Sequence, residues 1–211
     1  AGEIKRFLDS SGIPYREVDD ERLLVDRVVE AIEGGKVVGW FHGRFEWGPR
    51  ALGQRSILAD PRRPEMKDIV NTKIKFREPY RPFAPSIIAE EAERFFDLPR
   101  AHTHYPGRFM LYVVNVKSDQ AHLVPATTHV DGTARLQTVD RETNPRYYSL
   151  IRRFGEATGV PVVLNTSFNL RGEPIVASPW DAWKSFMKSE MDTLVLENFL
   201  IEKNRVLHAT C

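Results

Sequence analysis

The chain has 211 residues, 42% hydrophobic and 28% charged, with 30 Lys/Arg against 29 Asp/Glu for a net charge of +1. This composition excludes a disordered tail and a collagen-like fibre, and the near-zero charge argues against a wholesale nucleic-acid-binding surface. The single cysteine, Cys211, excludes an internal disulfide and a cysteine-based zinc site. No window nears the roughly 18 apolar residues of a membrane span, and the first residues lack the apolar core of a secretion signal. A soluble, cytoplasmic protein with no membrane partner is the expectation. One domain, or one with a small lobe, fits the length. The charge is unevenly spread. Residues 1–35 hold five Lys/Arg and nine Asp/Glu, whereas residues 44–81 hold ten Lys/Arg and five Asp/Glu. Basic charge concentrated in a short stretch rich in Gly and Pro points to a local anion site.

In chain order, residues 3–10 predict a short helix ended by Gly12 and Pro14. Asp20 caps a helix over about 21–33, whose apolar Leu24, Val25, Val28, Val29 and Ile32 follow helical spacing, and Gly34-Gly35 stop it. Residues 36–42 read as a buried strand and 43–61 as one long loop. Pro64 opens a helix to about Lys75. Residues 83–88 read as a strand, 90–96 as a short helix, 97–107 as irregular and 109–116 as a β run. After a loop at 124–133, residues 135–139 predict a strand. Asn144-Pro145 starts a helix to about Thr158, and 161–164 is a short apolar strand. Ser178 and Asp181 form a capping box for the next helix, and strands at 193–196 and 199–201 follow. Helices alternating with partly all-apolar strands predict an α/β fold with a mixed sheet. No repeat or linker divides the chain. Residues 1–20 read as a linker or N-terminal extension, 21–203 as the domain, and 204–211 as a tail.

Four constellations could carry chemistry. In the first, Arg44, Arg50 and Arg55 sit in a glycine-rich loop after a buried strand. Glycines let backbone approach a ligand and arginines offer forked donors. The loop is neither a GxxxxGK[ST] nor a GxGxxG motif, and a plain turn with solvent-facing arginines is the alternative. In the second, Lys75 and Arg81 flank a turn that Pro79 and Pro82 stiffen, and fixed cations lose less entropy on binding a phosphate. A solvated basic helix end would look the same. In the third, Thr128 and His129 precede a strand holding Arg135; a lone loop histidine is more often structural. In the fourth, Asn165, Ser167, Asn169 and Arg171 follow an apolar strand, and the crevice beyond strand ends is where open α/β sheets bind ligands. The alternative is turn capping. His102 and His104 alone make no metal site, and Ser167 lacks the G-x-S-x-G setting of a hydrolase.

The strings GPRALGQRSILADPR, KFREPYRPFAPSI, THVDGTARLQTV and GVPVVLNTSFNLRGEPIV, in this order, resemble the C-terminal domain of the O-carbamoyltransferases of the nodulation and antibiotic-tailoring type. The resemblance runs from about residue 13 to residue 201. It implies a YrdC-like fold, a twisted open mixed sheet with flanking helices and a basic concave face. It also implies an enzyme domain that forms carbamoyl-adenylate from carbamoyl phosphate and ATP with Mg²⁺, releasing pyrophosphate. An N-terminal kinase-like domain outside these residues would then pass the carbamoyl group to an acceptor hydroxyl. By the same resemblance, Arg50, Lys75 and Arg81 hold carbamoyl phosphate and the ATP phosphates, and Arg135 adds a phosphate contact. Asn165 and Ser167 contact the nucleotide, with Asn169, Arg171, Arg44 and Arg55 as further contacts and Thr128 and His129 on the substrate loop. No metal ligand is assigned. Two rival readings stand beside this one, an RNA- or nucleotide-binding module of the same fold and a non-catalytic docking domain.

Overall fold

A computed structural model describes residues 2–209, without the side chains of His102, His208 and Ala209. The expectations placed on Cys211 and His102 therefore lie outside the described residues.

The helix starts predicted from capping chemistry are present. Asp20 accepts from the backbone N–H of Arg22 and Leu23 at the head of a helix Glu21–Glu33. Asn144 caps Pro145–Thr158 through Tyr147 N. Ser178 and Asp181 close a reciprocal capping box on Pro179–Lys188. With Gly2–Ser10, Met66–Ile69, Ala92–Phe95 and Lys203–Ala209, these helices are α1 (2–10), α2 (21–33), α3 (66–69), α4 (92–95), α5 (145–158), α6 (179–188) and α7 (203–209).

Among the described residues, nine strands form one open sheet. They are β1 (Arg16–Glu17), β2 (Val38–Phe41), β3 (Arg55–Ala59), β4 (Ala84–Ile88), β5 (Tyr112–Asn115), β6 (Thr133–Val139), β7 (Val162–Ser167), β8 (Thr193–Leu196) and β9 (Phe199–Glu202). Their order is β1-β9-β8-β2-β3-β7-β4-β6-β5. The pairs β2–β8 and β4–β6 are parallel and the others antiparallel, so the sheet is mixed as predicted. Both faces are covered. On one, α2 and α5 bury Leu24, Val28, Ile151 and Phe154 against Val38, Trp40, Leu58 and Val163. On the other, α1, α3 and α6 pack Leu8, Met66 and Phe186 against Phe41, Ile57 and Leu194. Each such side chain contributes roughly 1.5–3 kcal/mol on leaving water. Residues 2–20 share this fabric: Ile4, Leu8 and Ile13 are buried and β1 pairs with β9.

Several local expectations are corrected. The loop read over 43–61 contains the central strand β3, wholly buried between β2 and β7. Its polar first residue hid it. Arg55 sits 4% exposed because its guanidinium donates to the carbonyls of His42, Gln54 and Gly43 and stacks 3.5 Å from the Phe41 ring centre. The helix expected from Pro64 to Lys75 is α3 followed by a wide π turn, Val70–Ile74. There Lys75 N reaches back to Val70 O while Asn71 turns its amide to the carbonyls of Pro79 and Arg81. The β run at 109–116 shrinks to β5, since Phe109 ends a 3₁₀ turn, Tyr105–Phe109, and Met110 takes φ +56°. The apolar strand at 161–164 runs on to Ser167.

Candidate functional site

One end of the sheet gathers the end of β7 and the starts of β4 and β6. A cleft of about 90 Å³ opens there, its rim built from the 49–51 and 77–84 segments and Met110. Its lining carries three arginines, Arg50, Arg77 and Arg135, and no acidic residue. The arginines feel one another. Burial lowers the Arg135 pKa and Arg50 lowers it further. Burial, then Arg81, carries Arg77 down to about 10, with Arg135 adding to the shift against the opposing Glu78. Arg77 is held in place by its Nε, which donates to Asn71 Oδ1 at 2.7 Å, and by the Phe83 ring 4.8 Å beneath it. Arg135 Nε is buried and has no acceptor among the described residues. Arg77 and Arg135 are partly buried and Arg50 is exposed, and guanidinium groups gathered without a carboxylate among them make an anion receptor.

Behind the cleft, Lys75 is 5% exposed. Its Nζ meets four oxygens: Ser167 O at 2.8 Å, Ser167 Oγ at 3.3 Å, Asn169 O at 2.8 Å and Asn169 Oδ1 at 2.6 Å. Burial, then Arg77, pushes its pKa down to about 7, while oxygens on every side suit the ammonium form. Lys75 thus fixes the turn after β7. Ser167 Oγ donates to Asn169 Oδ1 at 2.7 Å, and Asn169 Nδ2 donates to Glu173 O at 2.7 Å. Asn165, 1% exposed, donates to Ala51 O, Ser86 Oγ and Gln137 Oε1, tying the Arg50 loop to the sheet.

That loop has a second anchor. The Glu46 carboxylate accepts from the backbone N–H groups of Leu52 at 2.5 Å, Gln54 at 2.9 Å and Arg55 at 3.2 Å. Gly53, at φ +109°, lies so close to the Tyr147 ring that a Cβ would sit 2.2 Å from it.

The structure brings Arg50, Arg135, Asn165 and Ser167 to the cleft lining and places Lys75 and Asn169 directly behind it. Arg55 is spent on backbone carbonyls. Arg81 lies outside the lining, its Nε 2.9 Å from Glu78 Oε2, and Arg171 reaches the same carboxylate at 4.0 Å. Arg44 is an exposed loop residue. Thr128 Oγ1 donates to Val124 O, and His129 Nδ1 lies 2.9 Å from Thr133 Oγ1. Burial lowers the His129 pKa; Asp131 opposes this, and Arg135 and Lys67 add to it. The sequence reading missed Arg77, Glu46 and Gln137. Arg77 stands between the two cations chosen from KFREPYR, and Phe76, in the left-handed region at φ +49°, turns the chain between Lys75 and Arg77. Among the described residues no group of three or more His, Cys, Asp or Glu could hold a metal ion, and no helix is long and apolar enough to cross a membrane.

A family model described as carbamoyltransferase C-terminus matches residues 29–203. The chain belongs to that family. It is 53% identical over 96% of its length to nodulation protein NolO of Bradyrhizobium diazoefficiens, covering 36% of that protein. It is 51% identical over 85% of its length to nodulation protein NolNO of Sinorhizobium fredii, covering 26% of it. Against the 3'-hydroxymethylcephem-O-carbamoyltransferase of Amycolatopsis lactamdurans it is 41% identical over 72% of its length, covering 28% of that enzyme. The chain therefore spans about a third or less of the relatives it matches. A crystal structure of full-length HypF shares the fold, with a TM-score of 0.57 and 19% identity over 84% of this chain and 25% of that one.

Proposed function

We propose that this carbamoyltransferase C-terminal domain forms carbamoyl-adenylate, which a kinase-like domain elsewhere in the full protein then uses to carbamoylate an acceptor hydroxyl. The observation that carries the reading is the acid-free cleft of Arg50, Arg77 and Arg135, with Arg135 Nε buried and unpartnered. The HypF structure of the same fold is described as a phosphate- and nucleotide-bound form, and the cephem relative is named an O-carbamoyltransferase; both support it.

The balance is carbamoyl phosphate, ATP and water giving carbamoyl-adenylate, pyrophosphate and inorganic phosphate. Water takes the phosphoryl group of carbamoyl phosphate. The carbamate oxygen left behind attacks the α-phosphorus of ATP, and the bond to the bridging oxygen breaks to release pyrophosphate. Charge grows on the phosphoryl oxygens in both steps, and preorganised cations stabilise it without moving. In this reading the three arginines hold the phosphates. Asn165 and Glu46 hold the Arg50 loop, and Lys75 holds the Ser167–Asn169 turn that forms the floor. The cleft offers no carboxylate for a magnesium ion, so Mg²⁺ enters only as the companion of the ATP substrate.

Pyrophosphate release with Mg-ATP, with and without carbamoyl phosphate, tests the reading, alone and with the rest of a full-length relative supplied. Release that needs both substrates and disappears in Arg135→Met is the expected result. Release unaffected by Arg135→Met, or absent even with the remaining domain present, would overturn it.

A further inference from the structure

Among the described residues the sheet ends in β1 on one side and β5 on the other. The two edges differ in chemistry. β1 is two residues long and both are charged, Arg16 and Glu17, with Lys5 on Glu17 at 2.5 Å. A short, charged edge resists pairing with another chain. β5 lies within an unbroken run of uncharged residues, 109–116. Leu111 is 70% exposed, Tyr112 40% and Val113 60%, whereas β2, β3 and β4 are buried throughout. An exposed apolar edge without charge is a template for another strand.

Hydrogen bonding shows which part of that edge is open. Asp97 N donates to Asn115 O and Lys117 N donates to Phe95 O, so residues 115 and 117 point outward and the 95–97 segment covers them. Val116 N instead donates to Gly132 O, towards β6. Backbone groups of alternate residues share one side of a strand. The N–H and C=O of Val113 therefore point outward, ahead of the covered stretch. Before them, the 3₁₀ turn Tyr105–Phe109 and Met110 at φ +56° take the chain out of strand geometry. Leu111 N reaches Pro106 O only at 3.3 Å, beyond the usual range. Residues 111–114 are thus the open edge.

Charge selects the occupant. The flanking cations turn away from the edge: Arg108 pairs with Asp140 at 2.7 Å, and Lys117 Nζ donates to Glu93 O at 2.6 Å. An uncharged seam gives a charged partner nothing to match, but twofold antiparallel pairing with itself needs no match. With the axis beside Tyr112, Val113 meets Leu111 of the second copy. The turn at Met110 then keeps each chain clear of the other's 95–97 segment.

We infer that residues 111–114 are a self-association edge, on which a second copy of this chain lays its own β5 antiparallel, Val113 N–H and C=O bonding to Leu111 across the twofold axis. The seam is short, so the dimer is weak and reversible.

Sedimentation velocity on this chain up to about 1 mM, with amide hydrogen exchange at the same concentrations, tests it. Leu111→Lys sets like charges across the seam. Val113→Pro removes the outward N–H and leaves the β6 ladder intact. Each is expected to raise the dimer dissociation constant at least about tenfold and to leave the melting temperature of the dilute chain unchanged. In the parent, the Val113 amide should exchange more slowly as concentration rises, while the Val114 amide, facing β6, is slow throughout. A chain that stays monomeric at about 1 mM, a dimer untouched by Leu111→Lys in a folded variant, or Val113 exchange independent of concentration overturns the inference. A monomer whose Val113 amide is protected only when the rest of a full-length relative is added overturns it in favour of that partner.

Discussion

Replacing Glu46 tests whether the Arg50 loop is held by one partly buried carboxylate. Three backbone N–H groups, of Leu52, Gln54 and Arg55, converge on it at 2.5–3.2 Å. Glu46→Ala strips all three of their acceptor, at about 1 kcal/mol or more for each donor left unpaired, so a loss of about 3 kcal/mol is expected. Glu46→Gln keeps one carbonyl oxygen for two donors but turns an NH₂ group towards the third, and about 1–2 kcal/mol is expected. The glutamine variant also has a pH signature. Burial, against the pull of the three N–H groups, raises the Glu46 pKa above its ordinary 4.5. The folded state therefore holds this proton more tightly than the unfolded state does. Its contribution to stability falls as pH rises from 4.5 towards the raised value, and Glu46→Gln removes that slope. Urea unfolding followed by tryptophan fluorescence is the assay, because Trp40 Nε1 donates to Gly53 O at 2.9 Å inside the same loop. An alanine variant within about 0.5 kcal/mol of the parent, with unchanged triphosphate affinity, would refute the reasoning.

Three further predictions follow from the geometry. Arg135→Met removes a partly buried cation whose Nε has no acceptor; stability is expected to hold or rise in urea titrations while triphosphate affinity falls at least about tenfold, and a loss of stability with affinity kept would contradict it. Gly53→Ala places a Cβ 2.2 Å from the Tyr147 ring at φ +109°, so a cost of about 3 kcal/mol or more is expected; a melting temperature unchanged from the parent would contradict it. Burial raises the Glu197 pKa, but the His42 hydrogen bond and charge, Gly43 N–H and Arg146 outweigh it and carry the pKa from 4.5 to about 2. A lowered carboxyl pKa supplies stability above 4.5 that is lost as pH falls from 4.5 towards 2, worth about 3 kcal/mol by linkage. Glu197→Gln should therefore shrink the difference between melts at pH 5 and pH 3, and an undiminished difference would contradict the assignment.

The helix starts were legible because a cap is a local contract. Asp20, Asn144 and Ser178 each satisfy a donor within three residues of themselves, and no distant neighbour decides it. The mixed α/β class was legible from apolar periodicity for the same reason. Strand β3 was not, because the carbonyls that accept Arg55 come partly from His42 and Gly43, across the β2–β3 pairing. Charge counting pointed to the stretch that supplies Arg50 and Arg77 but not to which of its cations face the cleft. Of the basic residues over 44–81, Arg55 and Lys75 serve backbone oxygens inside the fold and Arg62 is held by Asp60. The resemblance named Arg50, Arg135, Asn165 and Ser167, which do line the cleft, but it passed over Arg77 and Glu46.

The sequence by itself determined the helix caps, most of the elements and the family resemblance, since these depend on neighbours a few residues away or on strings readable along the chain. Only the tertiary structure decided which cations are free. The sheet order brings β7 between β3 and β4, and that pairing carries Arg50, Arg77 and Arg135 to one cleft without a carboxylate among them. A guanidinium binds an anion only where no nearer acceptor has taken its donors, and which acceptors lie nearest is a property of the folded chain.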